Sequence, residues 1–265
     1  MRLSLFALLL PLAAAAQAQD AAPESDQALE VDVVGGISQP LPIAVPVMPT
    51  PRSTPTPEGD TASLGRQVAE IVAGDLRSSG LFTPVGPSGL PSVSFAQVTA
   101  PEFGAWRPLN ASALVQGFVQ ANADGNLTVG CYLYDVAAGT ELTRQGFTVA
   151  PANWRRAAHK CADAVYGRLT GEGAYFDTRL VYVAETGPKT KRVKRIAVMD
   201  ADGSNHRFLT QGTSTVLNPR FSPLGGQLVY MTYADKFPRV YVLDLASGKQ
   251  RPLVSGNAST FAARY

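Results

Sequence analysis

Histidine and cysteine are scarce in this chain of 265 residues: it holds only His159, His206, Cys131 and Cys161. A triad hydrolase needs a histidine between a nucleophile and an acid. A structural zinc site needs four closely spaced nitrogen or sulfur ligands. The sequence has no Gly-x-Ser-x-Gly elbow, no Cys-x-x-Cys and no His-Glu-x-x-His. It has no Gly-x-x-x-x-Gly-Lys phosphate loop either. Charge excess is also missing. Lys and Arg number 23 against 21 Asp and Glu, a formal charge of +2, which argues against the concentrated basic face of a nucleic-acid binder. No run of about 18 apolar residues is present, so no segment reads as a membrane-spanning helix.

What the chain does have is a repeat. Asn218-Pro219-Arg220-Phe221-Ser222-Pro223 opens a unit whose start returns as Ala262-Ala263-Arg264-Tyr265, 44 residues later. Leu180–Glu185 is echoed by Leu228–Tyr233, and Asp200-Ala201-Asp202-Gly203 by Asp244-Leu245-Ala246-Ser247-Gly248. Short strands and glycine turns at a period of about 40–45 residues are the pattern of β-propeller blades. Two blades cannot close a ring, so the expectation is a fragment that stops at the start of a third blade.

The N-terminus reads as an export signal. Arg2 precedes the apolar stretch Leu3–Leu12, and Ala16-Gln17-Ala18 is a small-x-small cleavage pattern. This predicts cleavage near Ala18 and a periplasmic mature chain. A polar leader follows over residues 19–35, beginning near Asp20 and ending in the alternation Leu29-Glu30-Val31-Asp32-Val33. Such a segment suits strand addition to a partner; a frayed terminus has the same look.

The body divides in two: an α/β domain over 36–172 and propeller units over 173–265. Leu41–Val47 is extended and apolar, but Pro42 and Pro46 demote it to an edge strand or a bulged one. Residues 49–59 form a proline-rich loop. Leu64, Val68, Ile71, Val72 and Leu76 place one stripe on a helix over 61–79, capped by Asp60 or Thr61 and ended by Gly80. Residues 82–107 read as irregular. Three strands then make an antiparallel meander over 113–120, 127–136 and 140–149. A second helix over 153–169 has Asn153 as its expected cap and Trp154, Ala158, Cys161, Val165 and Leu169 as its stripe. Cys131 and Cys161, 30 positions apart, both point inward. In an oxidising compartment such a pair can bridge; two small buried thiols are the other reading.

No catalytic, cofactor-binding or metal-binding residue is assigned. His159 reads as a solvated or junction-packing side chain and His206 as an exposed turn residue. His159 and Cys161 lie two apart on a helix and face different ways, which disfavours zinc with Cys131. Asp200-Ala201-Asp202-Gly203-Ser204-Asn205 resembles a calcium loop but has Gln211 where the closing glutamate belongs, so a hairpin turn is expected. Lys189, Lys191, Arg192, Lys194 and Arg195 read as a solvated hairpin tip.

His159-Lys160-Cys161-Ala162-Asp163, Leu169-Thr170-Gly171 and Phe176–Val183 together resemble the domain junction of the TolB family, the periplasmic component of the Tol–Pal system. Asp202-Gly203-Ser204-Asn205 with Leu209-Thr210 is similar to that family's first blade, and Asn218–Pro223 to its second. Asp75–Phe82 is similar to its first-domain helix. The resemblance implies an α/β domain before a six-bladed propeller, and a monomeric, non-enzymatic scaffold. It implies two partners: TolA at the inner membrane through the leader (Asp20, Leu29, Glu30, Val31, Asp32, Val33), and the outer-membrane lipoprotein Pal on the propeller. The implied role is to maintain the envelope and to help the outer membrane constrict at division. Met48–Gly59 is richer in proline than the family pattern, and about four blades are absent from the chain. The rival reading is an exported propeller-bearing hydrolase or peptidase whose catalytic domain lies outside this sequence.

Overall fold

The computed structural model describes residues 39–234, 237–256, 259–261 and 264. The export signal, the leader with Asp20 and Leu29–Val33, and most of the last repeat opening lie outside the described residues.

The first part is a five-stranded sheet with two helices on one face. Its strands are β1 (Leu41–Ala44), β4 (Phe82–Val85), β5 (Ala113–Ala121), β6 (Leu127–Asp135) and β7 (Thr140–Val149), in the order β4-β1-β5-β6-β7. A two-residue hairpin, β2 (Pro55–Thr56) with β3 (Gly59–Asp60), precedes helix α1 (Thr61–Ser78); helix α2 (Trp154–Thr170) follows β7. The strands β5, β6 and β7 are the expected meander, paired antiparallel throughout.

Sequence reasoning erred on two of these strands. Leu41–Ala44 is an inner strand, parallel to both β4 and β5. Pro42 is tolerated because pairing with β5 begins one residue later, at Ile43 with Ala113, while the Pro42 carbonyl still accepts from Ser112 N at 2.9 Å. The missing donor thus falls at the end of the ladder, where proline costs least. Residues 82–85 are strand β4 rather than irregular chain, and Pro84 is accommodated because β4 is an edge among the described residues.

Both helices obey their apolar spacing. Leu64, Val68, Val72 and Leu76 are fully buried on α1, as are Ala158, Cys161 and Val165 on α2. They meet Val115, Val119, Leu127, Val129 and Leu133 from the sheet, each large aliphatic side chain stabilising by about 1.5–3 kcal/mol. Asp60 caps α1, its carboxylate accepting from Ser63 N at 2.9 Å. Asn153 makes no side-chain cap on α2; a 3-10 turn over Pro151–Asn153 leads into that helix instead. The opposite sheet face is covered by the chain between β4 and β5, where Trp106 packs with Leu114 and Tyr134. Cys131 on β6 and Cys161 on α2 are joined in a disulfide, their Cα atoms 5.6 Å apart.

The second part is two antiparallel sheets. The first has β8 (Arg179–Thr186), β9 (Val193–Asp200) and β10 (Arg207–Phe208); the second has β11 (Val216–Phe221), β12 (Gln227–Thr232), β13 (Arg239–Asp244) and β14 (Gln250–Pro252). Ile196, Val216, Leu228, Tyr230 and Leu243 form one core between the sheets. Successive sheets therefore pack face to face, as blades do.

Candidate functional site at the junction

The apolar stripe of α2 faces the sheet. A second stripe, Arg155, His159 and Asp163, recurs every four residues and faces the first blade and the segment leading to it. Arg156 lies beside that stripe.

Each side chain holds a different piece of the junction. Asp163 accepts three backbone amides: Tyr175 N at 2.8 Å and Phe176 N at 2.7 Å on Oδ1, and Asp177 N at 3.0 Å on Oδ2. One carboxylate thus fixes the path of the connecting segment. Arg156 grips the Asp177 carboxylate with two parallel bonds, Nε at 2.9 Å and Nη2 at 3.0 Å, the bidentate geometry that guanidinium supports best. Arg155 donates through Nη2 to Asp202 Oδ2 and, at 2.7 Å, to Ser204 Oγ, both in the turn after β9. Gly171 ends α2 at φ +76°, a left-handed conformation that turns the chain out of the helix.

His159 sits at the centre with only 2% of its side chain exposed. Its Nδ1 is 2.7 Å from Asp75 Oδ2 on α1. Its Nε2 faces Asp202 Oδ2 across the junction at 3.7 Å and has no hydrogen-bond partner. Burial works against the imidazolium, yet the bond to Asp75 and the charges of Asp75 and Asp202 outweigh it, so the His159 pKa rises above its ordinary value. Burial pushes Asp75 up, and His159 offsets this only in part. For Asp202 burial is again the largest influence, but the Ser204 amide, Arg155 and His159 together hold its pKa below the usual carboxylate range.

The arrangement does not suit catalysis or metal binding. A triad would need a nucleophile on His159 Nε2, and that nitrogen makes no hydrogen bond. Oxygens of Asp200 and Asp202 and a nitrogen of His159 come within 4.8 Å of one another. The Arg155 guanidinium already bonds the Asp202 carboxylate, however, and Asn205 Nδ2 bonds Asp200 at 2.6 Å. Both carboxylates are thus already engaged by donors of the protein itself. The cluster is an ion-pair network joining the α/β layer to the turn after β9.

The other sites read from the sequence fall as follows. His206 is exposed and lies against Phe208 and Tyr182, ring centroids 4.9 and 6.1 Å away. Asp200–Asn205 forms a tight turn, with Asp200 N donating to Ser204 O at 2.9 Å. Lys189, Lys191 and Arg192 occupy the tip between β8 and β9, but Lys194 and Arg195 belong to β9. Lys194 pairs with Glu185 at 2.7 Å, and Arg195 stacks over Phe208 at 4.9 Å. Sequence reasoning missed Arg155, Asp163 and Asp75 as members of one network. The four-residue polar period on α2 was the available signal, masked by the apolar stripe sharing that helix.

Comparison with known proteins adds a family to this geometry. Residues 29–142 match the TolB amino-terminal domain, and residues 166–265 match the TolB beta propeller domain. The chain belongs to the TolB family. A "Tol-Pal system protein TolB" from Zymomonas mobilis is 62% identical over 226 residues, covering 85% of this chain and 49% of the relative. Another from Rhizorhabdus wittichii is 64% identical over 215 residues, covering 81% of this chain and 49% of the relative. The crystal structure of TolB from Acinetobacter baumannii superposes with a TM-score of 0.67 at 25% identity, over 82% of this chain and 50% of that one. The chain therefore spans about half the length of the TolB relatives it matches. What it carries is the TolB amino-terminal domain and the start of the propeller.

Proposed function

We propose that this protein acts in the Tol–Pal system as a non-enzymatic docking scaffold. The observation that carries the reading is joint membership: both the α/β layer and the blade sheets match TolB domains, in the TolB order, in one chain. The residues up to Ala18 direct export to the periplasm and are then removed. The α/β domain occupies 36–172, and blades one and two with the start of a third occupy 173–265 of a six-bladed ring. Among the described residues no helix is long and apolar enough to cross a membrane, in keeping with a protein that reaches membranes only through partners.

The division of labour follows from the architecture. The leader, residues 19–35, adds as a strand to TolA through Leu29, Glu30, Val31, Asp32 and Val33, with Asp20 near its start. The propeller offers a rigid face to the lipoprotein Pal, because strands within each blade satisfy one another's backbone and leave the surface free for side-chain recognition. One monomer thus couples the two membranes during envelope maintenance and constriction. Deletion of residues 20–33 tests the assignment. TolA binding, measured by titration calorimetry, is expected to vanish with the melting temperature unchanged. Retained binding at full affinity overturns the role given to the leader.

A further inference from the structure

We propose that His159 is a proton-controlled tie between the α/β layer and the first blade: protonated, it holds Asp75 and Asp202 together, and deprotonated, it releases the blade side. The inference is independent of which partners the scaffold binds.

The geometry supplies the reason. His159 is buried, and a buried polar nitrogen without a partner is expensive. Nδ1 is occupied by Asp75 of α1, within the same layer. Nε2 points across the junction at a carboxylate 3.7 Å away, too far for a hydrogen bond but close for an ion pair. In the imidazolium both nitrogens carry protons and both carboxylates are attracted. In the neutral ring with Nδ1–H on Asp75, the Nε2 lone pair faces a carboxylate. Attraction then becomes repulsion at one atom, with the rest of the structure unchanged.

The charges around the ring are accounted for from each element packed on it. Asp75 comes from α1, Asp200 from the end of β9, Asp202 from the turn after it, and Arg155 from α2 itself. Asp163 on α2 and Tyr175 in the connecting segment lie close enough to feel the charge on Asp75. Burial and Arg155 oppose a proton on the ring, and Asp75 and Asp202 favour it more strongly. The sign follows. Because the His159 pKa is raised from 6.5 in the folded protein, its contribution is complete below that ordinary value and is lost as pH rises through the folded one. Because the Asp202 pKa is lowered from 3.8, its contribution is present above that value and is lost as pH falls through the folded one. The tie is tightest between the two.

Hydrogen exchange of the full chain tests the tie, read on residues 171–178 and 200–205 and corrected for intrinsic rates, between about pH 5 and pH 8. Protection of these segments is expected to fall by at least about fivefold as pH rises, while β5 and β6 stay constant. The step is expected to disappear in His159→Gln, which can still donate to Asp75 but cannot become charged, and in Asp202→Asn. A flat wild-type profile overturns the proposal, as does a step that persists in either variant. Asp202 lies in a surface turn, so Asp202→Asn decides the question even if His159→Gln fails to fold.

Discussion

Single residues in this protein act on the backbone as much as on one another. Asp163 gives both oxygens to three consecutive amides of the connecting segment, so one side chain specifies the path of three residues. Thr61 does similar work at the start of α1, where its hydroxyl accepts from Thr54 N at 3.1 Å and bonds the Thr50 hydroxyl at 2.9 Å. The covalent counterpart is the bridge between Cys131 and Cys161, which closes a loop of 30 residues spanning β7 and the start of α2. Such a loop restricts the unfolded chain by about 3–4 kcal/mol in the chain-entropy model. Replacing both cysteines with alanine is expected to lower stability by roughly that amount in urea unfolding. Reductant should shift the midpoint of the native protein and leave the variant unmoved. A native midpoint indifferent to reductant would show that the bridge contributes nothing.

Elements are positioned by close backbone approach, and here the legible and illegible parts of the sequence separate. Gly65 lies on the buried face of α1, where an added Cβ would collide with the Met48 carbonyl oxygen. Met48 N in turn donates to Gly65 O at 3.3 Å. The helix therefore touches the chain after β1 through its backbone, which only glycine permits. Gly65→Ala is expected to cost about 1–3 kcal/mol by overpacking, read as a lower thermal midpoint, although alanine is the better helix former. A gain in stability would mean that the contact is slack. Periodicity predicted α1, α2 and the meander because their apolar spacing is local and one face is buried. The sequence put β1 at an edge or at a bulge rather than inside the sheet, and it left β4 as irregular chain. Both are short, both contain proline, and what makes them strands is parallel pairing between segments some 40 residues apart: Leu41 with Phe82 and Ile43 with Pro84. The junction network was hidden for the same reason. Asp75, His159 and Asp202 come from three separate stretches of sequence, and only the fold brings them to one point.

At the scale of the whole molecule, the question is whether the α/β layer and the blades respond as one body. Residues 39–265 form a single compact unit, and charged side chains of α2 reach across the boundary between its two parts. Arg156 with Asp177 and Arg155 with Asp202 and Ser204 span the boundary beside the His159 tie. Exposed ion pairs contribute only about 0–1 kcal/mol, but hydrogen bonds to charged groups in half-buried sites contribute about 1.5–3 kcal/mol. Each part keeps its own core: the helices and sheet on one side, and Ile196, Leu228 and Leu243 on the other. Cutting the contacts between them should therefore uncouple two folded bodies and leave both folded. The double variant Arg155→Ala with Arg156→Ala is expected to turn one cooperative calorimetric transition into two. The disulfide-bridged layer should melt at the higher temperature, and reductant should lower that second transition alone. A single transition at the native midpoint would mean that apolar packing, and not the polar stripe of α2, holds the α/β layer and the blades together.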